Sequence, residues 1–86
     1  MTGDQAAGVA DELRKVLAEV TGRGELLGIS VDTPLFGTGV GLDSLAGTLL
    51  LRQVQRRYGV DVAAEDLNLD SLATLGTLAD FIAARI

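Results

Sequence analysis

The sequence predicts an all-α fold: a four-helix bundle of three long helices and one short one, with a long ordered loop between helices one and two. Three observations predict it. Apolar residues recur at helical spacing in three separate stretches, glycines close the first two of them, and no stretch alternates long enough to make a strand. The 86 residues are 48% hydrophobic, 22% charged and 3% aromatic, the profile of a single small globular domain spanning 1–86, with no internal repeat long enough to stack. A domain of this size buries only about 60% of the surface of its unfolded chain. Little core is left for a deep catalytic pocket, and function is expected on the surface.

Helix one runs from about Gln5 to Val20, because Val9, Leu13, Val16, Leu17 and Val20 share a face while Asp11, Glu12, Arg14, Lys15 and Glu19 lie mostly elsewhere. Thr21-Gly22-Arg23-Gly24 ends it, glycine taking the left-handed conformation that closes a helix at little cost. From there to Leu42 no period persists over roughly twenty residues, a length at which connections are usually functional or disordered. Leu26, Leu27, Ile29, Val31, Leu35 and Phe36 give this segment enough apolar side chains to be pinned to the core, so an ordered loop is expected, with Thr33 before Pro34 as a candidate cap for one helical turn.

Helix two is predicted over Leu45 to Tyr58, capped by Ser44 or Asp43 and stopped by Gly59. Its residues divide into two stripes. Leu50, Leu51, Val54 and Tyr58 form the core side, and Leu45, Thr48, Leu49, Arg52 and Arg56 form a mixed apolar and basic surface, a candidate interface on a helix whose other side is occupied. Val60-Asp61-Val62 reads as an extended link and Glu65 to Leu69 as a short helical turn. The last helix starts after Thr74 and carries Leu75, Leu78, Ala79, Ile82 and Ile86 on one face.

Composition excludes several function classes. The chain has no cysteine and no histidine, which removes disulfide frameworks, thiol nucleophiles, histidine-based triads and the usual zinc sites; no metal site is expected. A net charge of −5 repels phosphate backbones, so nucleic acid is not an expected partner. No apolar run approaches the length of about 20 residues that spans a bilayer, and no basic segment followed by an apolar run opens the chain. No membrane association is expected, and the lack of cysteine fits a reducing cytoplasm.

At Gly41-Leu42-Asp43-Ser44-Leu45 a glycine-rich loop delivers a serine to the beginning of a helix, where unpaired backbone amides and the helix dipole favour a negative group. A phosphate on Ser44 is electrostatically suited to that place, and the glycines at 37, 39 and 41 leave space for a large partner. Serine is equally a common helix cap, and local chemistry alone does not choose between the two roles. A second Asp-Ser-Leu stands at Asp70-Ser71-Leu72. It follows Leu67-Asn68-Leu69 rather than a glycine loop and has no long helix after it, so Ser71 reads as a turn or capping serine.

Phe36, the Gly-Leu-Asp-Ser-Leu motif, a helix of about four turns, Gly59-Val60, a short turn and a final amphipathic helix together resemble the acyl carrier and peptidyl carrier protein family over nearly the whole chain. The resemblance implies a right-handed four-helix bundle and a dedicated phosphopantetheinyl transferase that moves 4'-phosphopantetheine from coenzyme A onto Ser44. The thiol of the arm then holds an acyl or aminoacyl group as a thioester. The protein itself has no catalytic residue. Asp43 matches the motif aspartate, which in the family helps the transferase engage the serine; its alternative role is helix capping and dipole stabilisation in the isolated fold.

Two departures stand out. Carriers of fatty acid synthesis are typically acidic on the helix after the serine, whereas here that helix bears Arg52, Arg56 and Arg57 and no carboxylate, and Thr38 and Gly39 replace acidic residues before the motif. The arginines either solvate an exposed face or orient an acidic or neutral partner surface, with Leu45 and Leu49 in apolar contact. The pattern looks like a carrier of specialised metabolism, in polyketide, nonribosomal peptide or amino-acid-primed hybrid pathways, including antibiotic biosynthesis. Expected partners are the transferase, an acyltransferase or adenylation-type loading enzyme, and a downstream synthase, met by a cytoplasmic monomer. Met1 and the short polar lead fit a free-standing protein, although an excised module with an added start codon looks the same. The alternative is an unmodified helical adaptor that uses the Leu45, Leu49, Arg52 and Arg56 face for protein association only.

Overall fold

The computed structural model describes residues 2–86, with side chains from residue 5; Met1 lies outside it. The described chain is all-helical: α1 Thr2–Thr21, α2 Ser44–Tyr58, α3 Val62–Glu65 and α4 Leu75–Ala83, with 3-10 turns at Gly24–Gly28 and Asp70–Leu72. The predicted bundle of three long helices and one short one is present. Among the described residues the one extended pairing is an isolated antiparallel bridge between Pro34 and Thr74.

The apolar period of α1 buries Val9, Leu13, Val16 and Leu17, and α1 packs chiefly along α4, whose Leu75, Leu78, Ala79 and Ile82 enter the same core. From α2 come Leu50 and Val54, with Leu51 and Tyr58 half-buried beside them. Burial raises the Tyr58 hydroxyl above its ordinary pKa, with the Glu12 carboxylate acting in the same direction. The glutamate belongs to α1, which also meets α2 through Arg57: its guanidinium lies 2.9 Å from Glu12 and 3.8 Å from Glu19.

The connection from α1 to α2 is ordered and packed, as its apolar content predicts. Leu26 and Leu35 are buried and Ile29 half-buried, whereas Leu27, Val31 and Phe36 stay exposed. Its closing residues Val40 and Leu42 also enter the core, burial that the glycine-rich context hides from a periodicity search. The loop is stitched to α4. The Leu35 amide donates to Ala73 O, while the first amides of α4 donate backwards, Leu75 to Thr33 O at 3.1 Å and Gly76 to Val31 O at 2.8 Å. A helix start leaves such amides without intrahelical acceptors, and here loop carbonyls supply them. Thr74 completes the end through a capping box with Thr77.

Four expectations need correction. Helix α1 begins at Thr2 rather than Gln5, its polar first turn carrying no apolar period to register it. No helical turn forms at Thr33-Pro34, because Thr33 is tied into the stitch to α4; the helical turn of this loop is Gly24–Gly28. The short helix is Val62–Glu65 rather than 65–69, since the Asp61 carboxylate accepts the Ala64 amide and starts it early, and Leu69 sits in the left-handed region at φ 57°. Ile86 lies past the end of α4, half exposed at 49%, and does not join its core face.

Leu35 is the test of the packed loop. Leu35→Ala removes a fully buried side chain that the loop, not a helix, contributes to the core, and is expected to destabilise the protein by about 2–5 kcal/mol, read as a lower midpoint in urea unfolding. A loop merely draped over the bundle would show a negligible change.

Candidate functional site

The site is built from the loop upward. Gly37 and Gly41 hold φ of 72° and 71°, and between them a side chain on Gly39 would overlap the Pro34 carbonyl, which accepts the Val40 amide at 2.8 Å. Gly39 therefore makes room for the loop's own backbone rather than for a partner. The turn closes with the Leu42 amide on Leu35 O at 3.0 Å, and Leu42 goes into the core. Asp43 emerges at the start of α2.

Asp43 is the cap. Its extended backbone directs the carboxylate over the helix end, where Oδ1 accepts the Ala46 amide at 2.7 Å, and its carbonyl accepts the Gly47 amide at 2.9 Å. Ser44, one residue on, is the first residue of α2 and exposed. Of the two cap candidates, the structure selects Asp43. The Ser44 hydroxyl makes no hydrogen bond among the described residues, and only its carbonyl is engaged, by the Thr48 hydroxyl at 2.8 Å. Phe36 lays its ring over Gly47, where an added side-chain carbon would stand 3.2 Å from it, packing the loop onto α2 one turn beyond the serine.

The chain has three serines, at 30, 44 and 71. Ser30 is exposed in the loop and its hydroxyl accepts the Asp32 amide. Ser71 is buried, its amide donating to the Asp66 carboxylate at 2.7 Å and its carbonyl accepting the Thr77 hydroxyl at 2.8 Å. The Ser71 amide is the main reason that the Asp66 carboxyl lies below its ordinary pKa. The Ser71 hydroxyl lies buried with no hydrogen-bond partner among the described residues.

The second stripe of α2 lies outward as expected: Leu45 is 69% exposed, Thr48, Arg52 and Arg56 are exposed, and Leu49 is half-buried. The three arginines of α2 part company. Arg57 belongs to the α1–α2 contact, whereas Arg52 and Arg56 form no ion pair among the described residues. A hollow of about 240 Å³ opens on this side, between the end of α1 and the first two turns of α2, walled by Val20, Leu45, Ala46 and Leu49. At the seam between α2 and α3, Val60 and Val62 are core residues while Leu67, at 85% exposure, turns outward.

Residues 11–82 match the family described as phosphopantetheine attachment site, which covers most of the chain. The chain belongs to that family. It is thus a phosphopantetheine carrier of the acyl and peptidyl carrier type, a class of non-catalytic domains that hold 4'-phosphopantetheine covalently on a serine and meet a phosphopantetheinyl transferase and synthase enzymes. No curated protein and no solved structure matches the carrier. No helix among its described residues is long and apolar enough to cross a membrane.

The division of labour at 43 and 44 separates stability from chemistry. Asp43→Ala removes the cap and is expected to cost about 1 kcal/mol, with Asp43→Asn retaining most of it. Ser44→Ala is expected to stay within about 0.5 kcal/mol of wild type. Chemical denaturation of the three variants measures both effects; a loss on Ser44→Ala as large as that on Asp43→Ala would return the cap to the serine.

Proposed function

We propose that residues 1–86 form one carrier domain whose attachment serine is Ser44. It holds acyl or aminoacyl intermediates as thioesters for polyketide or nonribosomal peptide enzymes in the cytoplasm. The observation that carries the choice of serine is the exposed Ser44 hydroxyl, which the fold does not use for capping. Ser30 lies in a loop remote in sequence from any long helix start, and Ser71 is enclosed.

The residues around Ser44 fit a phosphodiester there. The amides of Ser44 and Leu45 open α2 with no intrahelical acceptor, so donors and the positive end of the helix dipole face an anion at this position. The Asp43 carboxylate, like in charge to a phosphate, is engaged on the Ala46 amide. When bound, the arm supplies a thiol that holds the cargo as a thioester, a role for which the chain itself has no cysteine. In attachment, the Ser44 oxygen forms a bond to the pantetheine phosphorus of coenzyme A. The bond from that phosphorus to the adenosine bisphosphate breaks, and the serine proton passes to a base of the transferase. Ser44 is a substrate group in this reaction, and this chain contributes no catalysis of its own.

For recognition, we assign Leu45, Thr48, Leu49, Arg52 and Arg56 as the partner face of a monomer. Apolar contact comes from the leucines, and orientation and encounter rate come from the two arginines that form no ion pair among the described residues. An acidic surface on the loading enzyme, whether acyltransferase or adenylation-type, and on the downstream synthase complements this face. Nucleic acid and membrane surfaces, both usually anionic, are disfavoured by the net charge of −5.

Intact mass after incubation with coenzyme A and a broad-specificity phosphopantetheinyl transferase tests the serine. One phosphopantetheine is expected on wild type and on Ser71→Ala, and none on Ser44→Ala. No addition to folded wild type, with a known carrier modified alongside, would favour the unmodified adaptor. For the face, the Arg52→Glu, Arg56→Glu double variant is expected to fold normally and to be loaded roughly tenfold more slowly by its acylating enzyme at low salt. An unchanged loading rate would remove the arginines from recognition.

A further inference from the structure

The hollow beside α2 is walled on one side by a helix that the sequence did not include in the interface. Val20 and Thr21, the end of α1, face Leu45, Ala46 and Leu49 across it, and Gly41 to Asp43 close it next to Ser44. Its volume of about 240 Å³ falls below the roughly 300–1,000 Å³ of small-molecule pockets and suits a single bulky side chain.

The hollow is held open by bonds that do not depend on any partner. The Thr21 hydroxyl donates to Leu17 O at 2.7 Å and accepts the Arg23 amide at 3.2 Å, fixing the end of α1. Arg23 then reaches across, its guanidinium donating to Val40 O at 2.7 Å, just before Gly41. The far wall is fixed by the Asp43 cap. An interface pocket prepared in this way receives a partner side chain without first ordering its own.

The occupant follows from position. Enzymes that act on the thiol of a phosphopantetheine arm work at a distance from the serine, but the transferase must bring its own reacting centre to the Ser44 oxygen. Asp43 and Leu45, the chain neighbours of Ser44, both line the hollow, so an enzyme seated on Ser44 also covers it. Further along α2, Arg52 and Arg56 offer charge that no ion pair among the described residues takes up. We infer that the α1–α2 hollow is a docking socket for the phosphopantetheinyl transferase, which inserts one apolar side chain between Val20 and Leu49 and turns carboxylates toward Arg52 and Arg56. The inference rests on the carrier reading of Ser44 and adds Val20, Thr21 and Ala46 to the recognition surface.

The test fills the socket while leaving Ser44, Asp43 and both arginines in place. Apo protein is titrated into a reaction with coenzyme A and a broad-specificity phosphopantetheinyl transferase, and KM and kcat are read from intact mass. Ala46→Met fills the hollow from the α2 side and Val20→Phe from the α1 side, while Ala63→Met places the same bulk on the exposed face of α3. Both filled variants are expected to raise KM for the carrier roughly tenfold with kcat nearly unchanged, as for loss of an interface anchor. Ala63→Met should match wild type. Apo protein has no arm, so the effect cannot come from cargo lying in the hollow. Wild-type KM in a filled variant whose thermal melt shows it folded would overturn the socket and leave the carrier reading standing. A fall in kcat at unchanged KM would also overturn it, by showing that the bulk disturbs Ser44 rather than docking. Failure of wild type itself to be modified would overturn the carrier reading and the socket together.

Discussion

The start of α4 needs hydrogen-bond acceptors, and the loop before α2 supplies them. Leu75 and Gly76 donate to Thr33 and Val31, and Thr77 donates to the Thr74 hydroxyl, so the orphan amides of this helix are met at the point where the loop crosses it. Gly76 takes part because it has no side chain: an added carbon would lie 3.0 Å from Val31 O. A long connection without a sheet to hold it gains a fixed anchor in this way, and the entropy of ordering it is offset by the burial of Leu26, Leu35, Val40 and Leu42. Everything presented at the start of α2 hangs from that anchor through the bonds of Val40 to Pro34 and Leu42 to Leu35.

What hangs there is a serine whose hydroxyl makes no hydrogen bond among the described residues. A helix start offers one favourable cap, and at α2 the Asp43 carboxylate fills it. Had the aspartate stood one residue later, the serine would have been the cap and its hydroxyl would have been engaged by backbone. The order Asp-Ser therefore decides which group stabilises the helix and which remains available. A covalent group placed on Ser44 disturbs no hydrogen bond of the side chain, so attachment and stability are separable at this end of the helix.

The sequence made the long helices legible because their apolar stripes are uninterrupted: Leu13 and Leu17 in α1, Leu50 and Val54 in α2, Leu78 and Ile82 in α4 are all deeply buried at the expected spacing. Ser44 and Asp43 were legible as a pair, but their order of duty was not, since serine and aspartate cap equally well by propensity. The short elements were misplaced where side-chain acceptors, not apolar period, set the boundaries: Asp61 starts α3 early, and the left-handed Leu69 stops any helix where 65–69 was expected. The socket was invisible for a different reason. It pairs the end of α1 with the start of α2 through Arg23 bonding to Val40 O, a contact across 17 residues to a backbone atom, and no local pattern encodes such a meeting.

The two Asp-Ser-Leu triplets show how little of a motif lies in its letters. At 43–45 the acceptor is the aspartate of the triplet, and it bonds forward to Ala46, leaving the serine outside the ring of bonds. At 70–72 the acceptor is Asp66, which reaches forward to the Ser71 amide, while the Thr77 hydroxyl holds the Ser71 carbonyl from the other side. Ser71 is tied at both backbone groups, and its hydroxyl is enclosed. Only at the first triplet is the serine exposed, and there it stands at the start of a long helix, whose free amides favour an anion. Residue identity is the same at both places, and the difference lies in the amide that the carboxylate engages: that of Ala46, beyond the serine, at the first triplet, and that of Ser71 itself at the second.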